Sequence, residues 1–223
     1  MTDAESLEAA VRATAERFGG IDVAVANAGI APTAATARVY ERGLWEKVID
    51  VNLLGPWRTV RATLPHVLER RGQIVLVSSI YAFSNGTFMS PYAASKAGVE
   101  QLGRALRVEL GSHGVTSTTA YFGFVDTAMV RAAVNDDPLG ERYLDLIPSF
   151  LHKTITPAQA GEVLAGAVER RAVSVVAPRR WQVLSVLRGI INPLLDRRFG
   201  ADRRLAEIIR EADVEGRVPT RAG

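Results

Sequence analysis

Segments with the apolar pattern of buried strands alternate along this chain with segments of helical period, and that alternation leaves few folds open. Strands separated by whole helices cannot pair as hairpins, so they must lie parallel in one sheet with helices as crossovers. Asp3 is a suitable helix N-cap, and Leu7, Val11, Ala15 and Phe18 follow at helical spacing up to Gly19 and Gly20. Residues 21–26 read as a short buried strand that ends in the turn Asn27-Ala28-Gly29. From about Glu41 a helix carries Leu44, Trp45, Val48, Ile49 and Asn52, then runs irregularly past Gly55-Pro56 to Leu68. Further strands are expected over 73–79, 115–121 and 172–177. Between them Pro91 opens a helix over 92–110, and Thr156-Pro157 supplies a cap and a first-turn proline for another. The long connections, 29–40 and 127–153, both leave the C-terminal ends of strands, the edge where ligands bind in open parallel sheets.

Composition narrows the function classes. A chain of 223 residues suits one domain with a full core. It has no cysteine, and His66, His113 and His152 are scattered, so neither disulfides nor a metal site is expected. Residues 1–19 are charged throughout and lack the apolar run of a signal peptide. No uncharged apolar stretch approaches the roughly 20 residues of a membrane span, so the cytoplasm is the expected location. The net charge of +3 is uneven, because residues 170–223 hold twelve arginines, no lysine and six acidic residues. These arginines alternate with apolar positions and accompany no nucleic-acid motif, which favours a solvated helix face over nucleic-acid binding.

Tyr92 and Lys96 stand four apart at the start of a helix, so their side chains share one face. A phenol with a free pKa of about 10 is a poor acid or base near neutrality. An ammonium about 4 Å away, at an effective dielectric of about 20, would favour tyrosinate by roughly 4 kcal/mol. Such a pair alone recurs by chance. Ser79 ends a strand 13 residues earlier, within reach of the same carbonyl oxygen through a returning loop. Asn52 lies in a helix 27 residues before Ser79, and Asn27-Ala28-Gly29 closes a strand further upstream.

This ordered set resembles the short-chain dehydrogenase/reductase family, in its branch of single-domain oxidoreductases. The likeness continues through Tyr121-Phe122-Gly123-Phe124-Val125-Asp126-Thr127 and the Thr156-Pro157 helix start. The resemblance implies an α/β fold, a Rossmann-like doubly wound parallel sheet, with residues 1–178 as a partial core and 179–223 as a helical C-terminal extension. It implies an oxidoreductase interconverting an alcohol and a ketone with NAD or NADP. Tyr92 would be the general acid and base and also touch the cofactor, and Lys96 would depress its pKa and bind the nicotinamide ribose. Ser79 would polarise the carbonyl, and Asn52 would hold a water linking Lys96 to solvent. Asn27, Ala28 and Gly29 would sit beside the cofactor's adenosine half, and Gly123, Val125 and Thr127 beside the nicotinamide. Each has a plainer alternative: Asn52 a surface amide, Ser79 a turn residue, Thr127 a helix cap.

Two departures from the family pattern follow. Phenylalanine, at Phe122, stands where the family has proline before glycine, and is expected to reshape the wall under the nicotinamide. The family's first three strands and glycine-rich phosphate loop have no counterpart here. The chain as written is therefore expected to be inactive, with residues 21–26 as a bare apolar sheet edge. Met129, Val130, Leu139, Tyr143, Leu144, Leu146, Ile147, Phe150 and Leu151 would fold over the substrate and favour a lipophilic one. The basic, apolar stretch 181–199 could lie on a membrane surface, but packing on protein is the favoured expectation. A homodimer or homotetramer is expected from the resemblance, through the helices after Tyr40 and Pro91. A non-catalytic binding or assembly protein is the alternative, and a sugar-nucleotide epimerase fits the Asn27-Ala28-Gly29 turn less well.

Overall fold

A computed structural model describes residues 1–132 and 137–214. Helix α1 spans Ala4–Phe18, with the Asp3 carboxylate accepting from Ser6 N at 3.0 Å and Gly19 ending it in the left-handed region at φ 76°. Strand β1, Val23–Ala26, is two residues shorter than the apolar run suggests. Helix α2, Arg42–Ile49, is capped by the Glu41 carboxylate, which accepts from Gly43 and Leu44 N. A π-helical turn, Asp50–Leu54, joins α2 to α3, Gly55–Glu69, and is the irregularity that the sequence suggests at Gly55-Pro56. Strand β2 is Gln73–Ser79, as expected, followed by a 3-10 turn, Ile80–Ala82. Helix α4, Ser90–Gly111, and strand β3, Thr116–Phe122, come next. The short α5, Ala128–Val130, and α6, Pro138–Leu144, lie in the connection to α7, Pro157–Glu169. Thr156 caps α7 through a reciprocal pair with Gln159. Strand β4, Ser174–Ala177, a 3-10 turn Arg179–Trp181, α8, Gln182–Gly200, and α9, Arg203–Val214, complete the described chain.

The four strands form one parallel sheet in the order β1-β2-β3-β4, with Val25 opposite Val75 and Val75 opposite Thr118. This is the α/β, Rossmann-like architecture expected. Strand β2 is central and nearly all buried, which explains its unbroken apolar run. Ala24, Ala26, Ile74 and Leu76 pack against Val60 and Val67 of α3 and Val99 and Leu106 of α4. The approach of α4 to β3 requires Gly103, because a Cβ there would lie 2.2 Å from Thr119 Oγ1. Strand β1 is a sheet edge, and its apolar Val23 and Val25 are 39 and 44 % exposed.

The C-terminal extension folds back over the substrate-side connection. Leu205, Ile208 and Ala212 of α9 form a second core with Leu139, Tyr143, Ala34 and Phe88. This helix was not singled out in the sequence, since its apolar positions are interspersed with arginine and carboxylate. Its partners settle part of the expected substrate lining: Leu139, Leu146 and Ile147 serve this core, while Phe150 is 56 % exposed. The stretch 181–199 is also split, with Trp181 buried in a third core beside Ile80, Phe83, Tyr121 and Phe124 and only the rest in α8.

Candidate active site

Two cavities meet at Tyr92, at the C-terminal ends of the strands. One is a cleft of about 670 Å³ lined by Asn27, Ala28, Gly29, Tyr92, Lys96, Gly123, Val125 and Thr127 together with Pro157 and Gly161 of α7. The other is an apolar pocket of about 70 Å³ lined by Ser79, Ile80, Phe88, Tyr92, Phe124, Met129, Val130, Tyr143 and Leu144. Tyr92 lines both, as do Gly123, Met129 and Val130, so the two cavities adjoin at these residues. Every residue expected from the resemblance to act in catalysis or cofactor binding lines one of these cavities except Asn52, which is fully buried.

The π-helical turn explains the place of Asn52. Its Oδ1 accepts from Ile30 N and its Nδ2 donates to Ile30 O, both at 2.8 Å, and Nδ2 also reaches Ser95 Oγ at 3.3 Å. One amide thereby ties the loop after Asn27-Ala28-Gly29 to α4, which a surface amide would not do. Ser95 had no signal in the sequence beyond being a small polar residue three positions after Tyr92. It is buried, and its hydroxyl donates to Tyr92 O at 2.7 Å. Gly29 is needed for closeness, because a Cβ there would stand 3.3 Å from Asn52 Oδ1 and 3.5 Å from Lys96 Nζ.

Lys96 is buried, and its ammonium donates to Val77 O at 3.0 Å and lies 5.5 Å from the centre of the Tyr92 ring. Burial pushes its pKa down to about 8. Burial pushes the Tyr92 phenol up, and hydrogen bonding with Ser79 pulls it the other way. With the phenol buried, its pKa stands above the ordinary value instead of below it as expected, and the ammonium donates to a carbonyl. Ser79 Oγ donates to Phe122 O and accepts from Tyr81 N, each at 3.3 Å, which are long bonds that a better acceptor could replace. Thr127 both caps α5, accepting from Val130 N, and lines the cleft. Phe122, in the place of the family's proline, ends β3 opposite Ser79 and lines the cleft wall.

The apolar pocket is shaped by residues the sequence did not mark. Tyr81 stacks edge-on against Tyr92 at 5.7 Å. Phe88 adopts φ 62°, costly for an aromatic residue, and is held there by bonds from Tyr40 Oη and Ala35 N to its carbonyl. Its ring meets Tyr143 edge-on at 5.6 Å.

Comparison with known proteins bears on the family and the fold. Residues 1–138 match the short chain dehydrogenase family. The (-)-trans-carveol dehydrogenase of Rhodococcus erythropolis is 37% identical over 131 residues, 58% of this chain and 47% of that protein. A fatty acyl-CoA reductase of Mycobacterium tuberculosis is 32% identical over 207 residues, 89% of this chain and 65% of that protein. Among solved structures, carveol dehydrogenase from Mycobacterium avium in complex with NAD superposes with a TM-score of 0.67 at 30% identity, covering 79% of this chain and 70% of that one. A gluconate 5-dehydrogenase from Burkholderia cenocepacia in complex with NADP and tartrate shares the fold, at a TM-score of 0.67 and 23% identity over 78% of this chain and 69% of that one. The chain spans about half the length of several curated relatives it matches, 47%, 46% and 56% of three of them. With a matching family over residues 1–138, the parallel sheet and the residues gathered around Tyr92, the chain belongs to the short-chain dehydrogenase/reductase family.

Proposed function

We propose that this chain carries the reacting part of an NAD- or NADP-dependent oxidoreductase that interconverts a lipophilic secondary alcohol and its ketone. The observation that carries the reading is the position of Tyr92 where a wide cleft meets a smaller apolar pocket, with Lys96 lining the first and Ser79 the second. The cleft suits a nicotinamide riboside, because Gly29 leaves open the space beside Lys96 Nζ that any side chain would fill. Lys96 would hold the ribose there, and Gly123, Val125 and Thr127 would line the ring. A bound dinucleotide supplies or accepts the hydride.

In the direction of reduction, the Tyr92 hydroxyl gives its proton to the carbonyl oxygen as the alcohol forms. Ser79 turns its hydroxyl from Phe122 O to the same oxygen and stabilises the charge developing on it. Lys96 stabilises the resulting phenolate. Asn52 keeps the loop at Ile30 and helix α4 in register, so that Lys96 and Tyr92 keep their places. The apolar lining by Phe88, Phe124, Met129 and Leu144 favours a lipophilic substrate, as do the names carveol dehydrogenase and fatty acyl-CoA reductase among relatives.

The test has two arms. Nicotinamide fluorescence titration compares this chain with a version extended by the family's glycine-loop unit. Turnover of terpene and long-chain secondary alcohols is then measured with whichever form binds. Tyr92→Phe should lower kcat at least about 100-fold while changing dinucleotide affinity far less. Binding by neither form, or an active Tyr92→Phe, overturns the reading in favour of a non-catalytic binding protein. We also propose a homodimer or homotetramer, to which exposed Leu54 and Trp57 near the start of α3 and Val108 on α4 contribute apolar surface. Sedimentation velocity would show a monomer at all concentrations if that is wrong.

A further inference from the structure

Helix α8 is apolar on two sides. Its inner side is anchored: Arg188 pairs with Glu100, Asn192 Nδ2 donates to Phe83 O at 2.8 Å, and Asn85 Nδ2 donates to Asp196 at 2.8 Å. Leu184, Ile191 and Leu195 are half-buried on that side. The outer side carries Val183, Val186, Leu187, Ile190 and Leu194, which are 62, 74, 44, 68 and 65 % exposed. Their spacing of three and four places them in one stripe, about 16 Å long at 1.5 Å per residue. An exposed row of this kind, with no polar side chain within it, marks an interaction surface.

The charges around the stripe indicate what covers it. Arg179 is exposed just before the helix, and Arg197 and Arg198 are exposed at its far end. By helical projection Arg197 falls in line with Val186 and Ile190, so the stripe runs directly into a cation. Arg188 is the one charged residue between Gln182 and Leu195, and it is engaged by Glu100. Asp196 is turned to Asn85, so the outer face presents no carboxylate. A second copy of the helix would therefore set arginines against arginines, whether parallel or antiparallel, with nothing to neutralise them.

We propose that the outer face of α8 docks on an anionic lipid surface. The aliphatic stripe enters the headgroup boundary while Arg179, Arg197 and Arg198 meet lipid phosphates. No helix among the described residues is long and apolar enough to cross a membrane, so α8 lies in the plane of the interface. This goes beyond the oxidoreductase reading and stands apart from it, because the readout needs neither dinucleotide nor substrate.

The test is vesicle flotation of the full chain, with phosphatidylcholine alone and with about a third phosphatidylglycerol added to create a negative surface. The chain should float with the anionic vesicles and stay behind with neutral ones. Val186→Asp combined with Ile190→Asp should abolish flotation while circular dichroism and melting temperature stay unchanged, since both positions are exposed. Arg197→Gln and Arg198→Gln should each weaken binding about fivefold. No flotation with anionic vesicles overturns the proposal, as does flotation undiminished by the paired aspartates. A dimer that those aspartates dissociate, with no vesicle binding by the parent chain, assigns the face to a second copy and overturns it equally.

Discussion

Arg188 on α8 donates two hydrogen bonds, of 2.8 and 2.6 Å, to the two carboxylate oxygens of Glu100 on α4. Glu100 lies one helical turn beyond Lys96 and two beyond Tyr92, so the C-terminal extension is fastened to the helix that presents the candidate catalytic pair. The Glu100 carboxylate is almost fully buried, with a side-chain exposure of 7%, against 35% for Arg188.

Arg188→Leu should therefore cost about 2–4 kcal/mol, because it leaves a buried carboxylate without its partner. Arg188→Leu with Glu100→Gln should recover more than half of that loss. Urea denaturation of the four proteins of the cycle measures it, and additive losses would show that the pair is not coupled.

Lys96 gives a pH dependence of stability. Its pKa is about 8 in the fold against 10.5 in the unfolded chain, so the unfolded state holds the proton more tightly. Stability must then rise as pH increases through that window, by up to roughly 3 kcal/mol in total. Tyr92 acts in the opposite sense above its ordinary pKa near 10, since its raised value favours the neutral fold and stability is lost there. The urea midpoint should climb between about pH 7.5 and 9.5, and Lys96→Met should remove that climb.

Gly29→Ala tests the tight corner of the cleft. The backbone there has no left-handed angle, so the effect arises from the new methyl group 3.3 Å from Asn52 Oδ1 and 3.5 Å from Lys96 Nζ. A stability loss of about 1 kcal/mol is expected. A larger loss should appear in nicotinamide affinity, by titration, in whichever form of the protein binds the dinucleotide.

Gly103 and Thr119 make a paired prediction. A methyl group at Gly103 would sit 2.2 Å from Thr119 Oγ1, a buried hydroxyl without a hydrogen-bond partner among the described residues. Gly103→Ala should cost about 2 kcal/mol. Thr119→Ala should be near neutral alone, and it should recover much of that loss in the double variant, by thermal melting.

Much of the frame is legible in the sequence. Strand β2 was read with its own boundaries because an unbroken apolar run between Gly72 and Ser78-Ser79 allows little else. The start of α7 was read from Thr156-Pro157 because capping is a local event. The residues around Tyr92 were legible through the ordered resemblance; spacing alone would not have gathered them. Less visible was α9, whose partners on α6 and in the loop before Tyr40 are remote in sequence. Ser95 and Tyr81 were also missed, because a small hydroxyl and an aromatic ring carry no signal until a neighbour is placed against them.

The amino-acid order by itself determined which segments become strands and helices and that the strands run parallel, since period, caps and crossover length act over a few residues. Tertiary structure decided what those segments do to one another. It set Lys96 against a carbonyl in a buried position, where desolvation raises the Tyr92 phenol and lowers the ammonium. It also divided the apolar residues of α8 into a face that packs and a face left uncovered. Burial and dielectric depend on what surrounds a group in space, and that is a property of the whole packed chain.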